Sequence, residues 1–332
     1  MRYLSPIFFF GDNFQSPLDT RMIQREMKKL LAELELADGD TIVRGGRSFM
    51  RNELIDYFGE LQQEKIVTWH LAIVADPVLL RFLQDATINE GDRFKPAPIY
   101  DDLDFIAWIT PYFGAAFTLL AETSFEHADA TGLRALLTNR LLISPEAQEK
   151  CWVFISDILE KNIALFDHYR DRKQKGSAPM MPVSAISAYL LHGYFEVIRQ
   201  LPDPRFSRLK DRYAISILHP VVAIFNRNKR KRALAMTWVE EASKLAVSEK
   251  ARGTIRGRMF ELMGILHQAE KTAHGRNITI FIFVAASLMW YFGRNVVFAP
   301  LVIPGLSPKP HRSVVKPDST RDTLRADSVR YR

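Results

Sequence analysis

The C-terminal part of the chain reads ITIFIFVAASLMWYFGRNVVFAPLVIPG over residues 278–305, and this stretch decides the architecture expected for the whole protein. Its first fifteen residues carry no charge. One helix over 277–299 would be about 34 Å long at a rise of ~1.5 Å per residue, enough for a hydrocarbon core ~30 Å thick. Because bulky apolar residues lie on every side of that helix, the pattern predicts a membrane segment rather than a core helix.

The end of this segment also fits a bilayer. Arg294 lies near its C-terminal end, where a long cationic side chain can reach the headgroups. Trp290 and Tyr291 precede it by one turn, where aromatic rings favour the interface. A re-entrant hairpin that turns at 293–295 is the alternative. The residues assigned to membrane contact are Ile278, Phe281, Phe283, Trp290, Tyr291 and Arg294.

Positive charge is balanced on the two sides of the segment, with Lys271 and Arg276 before it and Arg294 and Lys309 after it. The loop-charge rule therefore gives no orientation. The N-terminal sequence MRYLSPIFFFGDNF lacks the features of an export signal. We expect a single-pass protein whose N-terminal body is cytoplasmic, followed by a basic, disordered tail over 300–332.

Helical periodicity dominates the rest of the chain and predicts an all-α body of about nine or ten helices. An early example has apolar residues at i, i+4, i+7, i+8 and i+11, namely Ile23, Met27, Leu30, Leu31 and Leu34. The stretch 104–122 is apolar nearly all round, which predicts a buried core helix. We expect Pro111 and Gly114 to interrupt that helix before it reaches membrane length.

The segment DRKQKGSAPMMP, residues 171–182, has the composition of a linker, with charge, Gly, Ser and Pro between two periodic segments. It predicts an N-terminal helical subdomain over 1–170 and a second helical subdomain over 183–276. The membrane segment at 277–299 and the tail at 300–332 would then follow the second subdomain.

No catalytic signature is present in the sequence: it contains no His-Glu-x-x-His, Gly-x-Ser-x-Gly or Walker lysine motif. The lone cysteine, Cys151, lies in an apolar helical pattern and is interpreted as a buried side chain rather than a nucleophile. His192 and His219 are interpreted as hydrogen-bonded core histidines. We predict no catalytic residue, no cofactor and no metal site, and we regard an enzyme as the less favoured class.

Two further clusters have an ordinary structural interpretation. Carboxylates and one histidine lean to one side of the helix predicted near 145–170, and we interpret them as its solvated face. They are Asp157, Glu160, Asp167, His168 and Asp171. The turn at 44–48 combines two arginines, two glycines and Ser48, and is interpreted as a turn whose Ser48 caps a helix ending near Leu61.

The strongest concentration of charge is NRNKRKR, residues 226–232. Its five cations, at Arg227, Lys229, Arg230, Lys231 and Arg232, can attract phosphate oxygens. Anionic lipid is the favoured partner, with a solvated junction between two helices as the alternative. Nucleic acid is disfavoured because no aromatic residue is interleaved to stack bases, and because the net charge of +7 is modest for this length.

Together these patterns predict a membrane-anchored scaffold or adaptor that recruits partner proteins, as part of an envelope-associated assembly. One alternative is a membrane-tethered effector or enzyme acting on a phosphate-containing substrate. It would use His168 with its carboxylates, or Arg44 and Arg47. Another alternative is an effector that perturbs membranes after homo-oligomerisation. The identity of the partner proteins and the oligomeric state are left open by the sequence.

Overall fold

The computed structural model describes residues 2–11, 14, 19–36, 41–44, 47–174 and 186–268, with only the backbone described over 168–174. The predicted membrane segment at 277–299 and the tail at 300–332 therefore lie outside the described residues. So does most of the predicted linker.

The described chain is mainly helical, and the prediction of a mainly helical body is confirmed. One two-stranded antiparallel hairpin interrupts it, with Thr41 paired to Met50 and Arg44 paired to Arg47. The elements are α1 Ile7–Phe10, α2 Thr20–Leu36, β1 Thr41–Arg44, β2 Arg47–Met50, α3 Arg51–Glu60, α4 Glu64–Val74, α5 Pro77–Asp85, α6 Leu103–His127, α7 Thr131–Leu137, α8 Pro145–Gln174, α9 His192–Gln200, α10 Asp203–Ser216, α11 Leu218–Arg227, α12 Arg232–Leu245 and α13, residues 249–268. Short 3₁₀ turns occupy Pro98–Asp101, Ala188–Leu190 and Lys229–Lys231.

Two hydrophobic cores hold these elements together. The smaller core joins α1, α2, the hairpin, α3 and the start of α4 around buried aromatic rings, including Phe9, Phe49 and Phe58. Ile23, Leu30 and Leu34 of the predicted periodic stretch are buried in it, as the i, i+7, i+11 spacing requires. The larger core consists of Tyr3 and of buried residues between positions 66 and 262.

The larger core is continuous across the predicted linker. Phe166 on α8 packs edge-on against Tyr213 on α10, with 5.4 Å between the ring centroids. Trp152 on α8 packs in the same way against Phe206, at 5.7 Å. The segment 171–182 therefore does not separate two hydrophobic cores. The assignment of 1–170 and 183–276 to subdomains stays a prediction.

Helix α6 lies at the centre of the larger core, where it packs against α5, α7, α8 and α9. Nine of its residues are buried, as predicted for a core helix. The expected interruption is wrong, because the helix runs through Pro111 and Gly114 for 25 residues. Proline removes one i→i−4 hydrogen bond, but burial of Ile109 and Phe113 on either side holds the helix together.

Among the described residues, α6 is the one helix that is both long and apolar enough to cross a membrane. The pair α4 and α5 satisfies the same criterion only when taken together, and its two helices are bent by 99°. Core helices of soluble proteins meet this criterion as well. In α6, 33% of the most apolar 18 residues are buried, and the helix packs against four other helices.

The bend between α4 and α5 is fixed by one carboxylate. Asp76 is buried, and its Oδ1 accepts the N–H groups of Val78 and Leu79 at the start of α5, both at 3.1 Å. Its Oδ2 accepts the Lys95 N–H at 2.7 Å and the Tyr100 hydroxyl at 3.2 Å. An N-cap with a proline at the next position begins a new helix in a new direction.

Two other details differ from the sequence predictions. Ser48 lies in β2 and caps no helix; α3 begins at Arg51, and the Glu53 carboxylate accepts the Met50 N–H at 2.9 Å. The helical pattern of the sequence also continues through residues 205–225 and predicts one helix there, whereas the structure divides this stretch at Ile217 into α10 and α11. The break lies three residues before Pro220, which lacks the N–H that would continue the hydrogen-bond ladder of α10.

Candidate functional site

The basic turn, defined as residues 227–232, connects α11 to α12. Helix α11 ends at Arg227, and Asn228 is extended. The Asn228 side-chain oxygen accepts the Arg230 N–H at 3.1 Å, which begins the 3₁₀ turn Lys229–Lys231. Helix α12 then starts at Arg232. The sequence thus places five cations on a tight junction between two helices.

Most of these cations face solvent. Arg227, Lys229 and Arg230 are exposed, and Lys231 and Arg232 are half-buried. Arg232 is held in place because its Nε donates to the Phe225 carbonyl at 3.3 Å and its guanidinium lies 5.1 Å from the Phe225 ring centroid. The basic turn therefore combines one fixed cation with others that are free to meet a partner.

None of the five cations has a carboxylate within 4 Å in the part of the chain that the structure describes. Exposed cations elsewhere are commonly paired. Arg212 meets Glu160 at 2.5 Å, for example, and Lys244 meets Glu240 at 2.9 Å. The positive charge of the basic turn is therefore not compensated by nearby acidic side chains, and repulsion among the cations favours an external anion.

An apolar side chain stands beside these cations. Leu234, two residues after Arg232, is 47% exposed in the first turn of α12. A leucine next to several cations is the combination that an anionic lipid surface can bind, through headgroup charge and shallow apolar insertion. Proteins that bind single-stranded nucleic acid commonly stack its bases on aromatic side chains, and the basic turn carries none.

A second polar cluster forms around His192, and the sequence does not predict it. His192 was expected in the core, but its side chain is 68% exposed at the start of α9. Its Nδ1 lies 3.3 Å from Glu241 on α12, and its Nε2 lies 3.5 Å from Glu196 on its own helix. The His192–Glu196 spacing of i, i+4 was visible in the sequence, but the long-range partner Glu241 was not.

Arg199 bridges the two carboxylates of this cluster, with contacts of 3.0 Å to Glu196 and 2.5 Å to Glu241. Burial raises the pKa of Glu241, but the hydrogen bond from Lys244 and the charge of Arg199 outweigh it, so the pKa lies below its ordinary value. The Glu241 carboxylate is thus held ionised by cations, and we interpret the cluster as an ion-pair network that joins α9 to α12.

The arginines proposed for an enzymatic alternative have structural partners. Arg44 contacts Glu26 at 3.7 Å and Glu33 at 3.2 Å. Arg47 donates to the Tyr3 carbonyl at 3.3 Å, which ties the hairpin to the N-terminal segment. Arg44 thus links β1 to α2, and Arg47 links β2 to the N-terminal segment.

The carboxylates on α8 do not converge. Asp157 is exposed, whereas Glu160 pairs with Arg212. The side chains of His168 and Asp171 lie outside the described residues. Among the side chains that the structure does describe, no group of three or more His, Cys, Asp or Glu residues is placed to hold a metal ion.

The remaining candidate side chains lie near the larger core. Cys151 is buried, and that burial raises the pKa of its thiol, so the interpretation as a core residue fits its surroundings. It lies at the floor of a cleft of about 650 Å³ between α6 and α8. His219 is half-buried rather than fully buried and has an interaction partner.

The six residues assigned to membrane contact, from Ile278 to Arg294, lie outside the described residues, so the basic turn is the one predicted contact surface whose geometry is described. Comparison with known proteins finds no matching family model, no similar curated protein and no matching solved structure. A function for this chain must therefore be argued from its own residues.

Proposed function

We propose that the protein is a membrane-anchored helical scaffold whose body is cytoplasmic and recruits partner proteins. In this proposal the segment 277–299 is the anchor, and its length and composition support that role. The basic turn is the body's contact with anionic headgroups. The proposed contact with headgroups is supported by the five cations, which have no carboxylate partner among the described residues, and by the exposed Leu234 beside them.

The two parts of the proposal differ in strength. Each cation near an anionic surface contributes ~1 kcal/mol, so the basic turn can orient the body but binds reversibly. The apolar segment contributes a much larger hydrophobic term, which makes insertion effectively irreversible. Orientation by a fixed turn would present the opposite side of the helical body to partner proteins in the same way on every molecule.

The test replaces all five cations of the basic turn by glutamine in a chain ending at residue 276. This chain retains both hydrophobic cores, and circular dichroism checks its fold. Its binding to phosphatidylglycerol vesicles is compared with binding to phosphatidylcholine vesicles at low and high salt. We expect the unsubstituted chain to prefer anionic vesicles, and the glutamine variant to lose most of that preference. The difference should be largest at low salt, because ions screen exposed charges.

A matched control removes the same net charge elsewhere. It replaces five exposed cations that already have carboxylate partners, namely Lys29, Arg51, Lys65, Arg140 and Arg205. We expect this control to retain most of the preference for anionic vesicles, because its cations are partly neutralised in the folded protein. Equal loss in both variants would show a nonspecific charge effect and contradict a role for the basic turn.

A further inference from the structure

Helix α13 is packed against the larger core along a narrow seam. Ala251, Ile255 and Leu262 are buried there, with Met259 and Leu266 packed beside them. These positions follow the 3.6-residue period and lie on one side of the helix. The other side is unpartnered within the described chain, since a Cβ added at Gly253, Gly257 or Gly264 would meet nothing within 4 Å.

That open side carries large apolar side chains. Phe260 is 67% exposed and lies between Gly257 and Gly264 on the side opposite the seam. Met263, three residues after Phe260 on the same side, is also exposed, and Ile265 is exposed on the opposite flank of the helix. A phenylalanine at such a position has no packing partner in the described structure, and its exposure to water is unfavourable.

The charges around Phe260 are mostly positive. Lys250, Arg252, Arg256 and Arg258 lie on α13 together with two glutamates, Glu249 and Glu261. Both glutamates are already paired, Glu249 with Arg252 at 3.1 Å and Glu261 with Arg258 at 2.5 Å. Lys250 and Arg256 have no carboxylate partner among the described residues. An anionic partner is therefore complementary to this helix.

The length of the chain after α13 limits how far this helix can lie from the anchor. Gln268 is the last described residue, and the apolar segment begins ten residues later, at Ile278. Ten residues reach at most about 35 Å even when fully extended. If Ile278 enters a bilayer, the end of α13 therefore lies no more than about 35 Å from that entry point, within reach of the same bilayer surface.

We infer that the outer face of α13, formed by Arg256, Phe260 and Met263, docks onto an anionic bilayer surface, with Phe260 inserted at headgroup level. This inference rests on the proposed membrane anchoring. It makes α13 a second contact besides the basic turn. Apolar insertion with flanking cations is the usual chemistry of interfacial helices.

The experiment uses the full chain reconstituted into vesicles of phosphatidylcholine and phosphatidylglycerol. The single native cysteine is replaced by Cys151→Ser, and a nitrobenzoxadiazole fluorophore is attached at Phe260→Cys. A matched sample carries the fluorophore at Glu126→Cys, an exposed position near the end of α6. Flotation measures membrane association, and quenching by lipids with a spin label near the headgroup measures contact of the labelled position with lipid.

We expect the protein to float with the vesicles, and the probe at 260 to be quenched at least twofold more than the probe at 126. Flotation with equal, weak quenching at both positions would overturn the inference and leave the anchoring intact. If the emission of the probe at 260 is shifted to the blue but is not quenched by the lipids, then protein, such as a second copy of the chain, covers this face. That result would also overturn the inference. Absence of flotation would overturn the anchoring and the inference together.

Discussion

Gly193 lies directly against the backbone of Ala128: a Cβ built on Gly193 would stand 1.9 Å from the Ala128 carbonyl oxygen. Gly193 is the second residue of α9, and Ala128 follows the last residue of α6. The contact therefore joins the central helix of the larger core to the part of the chain that follows the predicted linker.

Gly193→Ala should be strongly destabilising. The clash is with a backbone atom, which cannot turn away as a flexible side chain can, so one of the two helices must shift. We expect a loss of about 3 kcal/mol in the free energy of unfolding, at the upper end of overpacking effects. Urea unfolding measures it. Gly59→Ala is the control, because nothing lies within 4 Å of its added Cβ and alanine favours a helix by about 1 kcal/mol. Equal effects of the two substitutions would contradict the close contact.

Ala128→Gly should stabilise the protein. Ala128 ends α6 in the left-handed conformation, with φ of 53°, which is unfavourable for a residue with a Cβ. Relief of the left-handed strain contributes ~1–2 kcal/mol, and the greater freedom of glycine in the unfolded chain costs ~0.4–1 kcal/mol. The midpoints of these ranges give a gain of about 0.8 kcal/mol. Thermal unfolding measures the gain. Ala107→Gly, at an exposed position inside α6, should instead lose about 1 kcal/mol. A loss at both positions would contradict the assigned backbone conformation.

Asp76→Ala should lower stability by about 2–4 kcal/mol, because it leaves several buried donors without an acceptor. The matched control is Asp102→Ala. Asp102 also caps a helix, but it is only half-buried and accepts from the Asp104 N–H alone, so its loss should be about 1 kcal/mol. Chemical denaturation of both variants gives the comparison. An effect at Asp76 no larger than at Asp102 would mean that the four-donor arrangement around Asp76 is not formed.

His70 should make the protein sensitive to acid. Burial lowers the pKa of His70 from about 6.5 to about 3, and its Nδ1 shares a hydrogen bond of 2.7 Å with the Tyr3 hydroxyl. Between these pKa values the unfolded chain binds a proton that the folded chain does not, so stability falls as the pH is lowered from 6.5 toward 3. The slope contributed by His70 approaches about 1.4 kcal/mol per pH unit.

The measurement is the free energy of unfolding against pH for the native chain and for His70→Gln. The variant should have a lower stability at neutral pH, because the Tyr3 contact is altered, but a shallower decline below pH 6.5. Parallel curves for the two proteins would contradict a buried, neutral His70.

Periodicity predicted the helices because a helix that covers a core must bury one face, and Ile23, Leu30 and Leu34 show that face directly. Local rules failed where tertiary packing outweighed them. Pro111 does not end α6 because the helix is held on several sides by its neighbours. Ala128 ends α6 without the usual glycine, so no residue in the sequence marked that left-handed position.

At the candidate site, the sequence shows where positive charge is concentrated, but it does not show whether acidic side chains neutralise that charge in the folded protein. The basic turn was evident as five cations, but the lack of acidic partners depends on residues that fold near it. His192 was misplaced in the core because SAYLLHGYFEVI is apolar on both sides of it. Its partner Glu241 lies 49 positions away, on α12, and no local pattern connects the two. Likewise, Phe260 is exposed because the opposite side of α13 packs against the core, and the sequence of α13 alone does not show which side that is.

The central claim is that the segment 277–299 anchors the protein in a membrane, and vesicle flotation at high salt tests it most directly. The full chain is compared with a chain ending at residue 276, because high salt removes the electrostatic contacts and leaves hydrophobic insertion. The account predicts that the full chain floats with the vesicles, while the shortened chain stays behind, soluble and helical. A full chain that is soluble without detergent and does not float, together with a shortened chain that aggregates, would mean that the segment belongs to the core and would contradict the account.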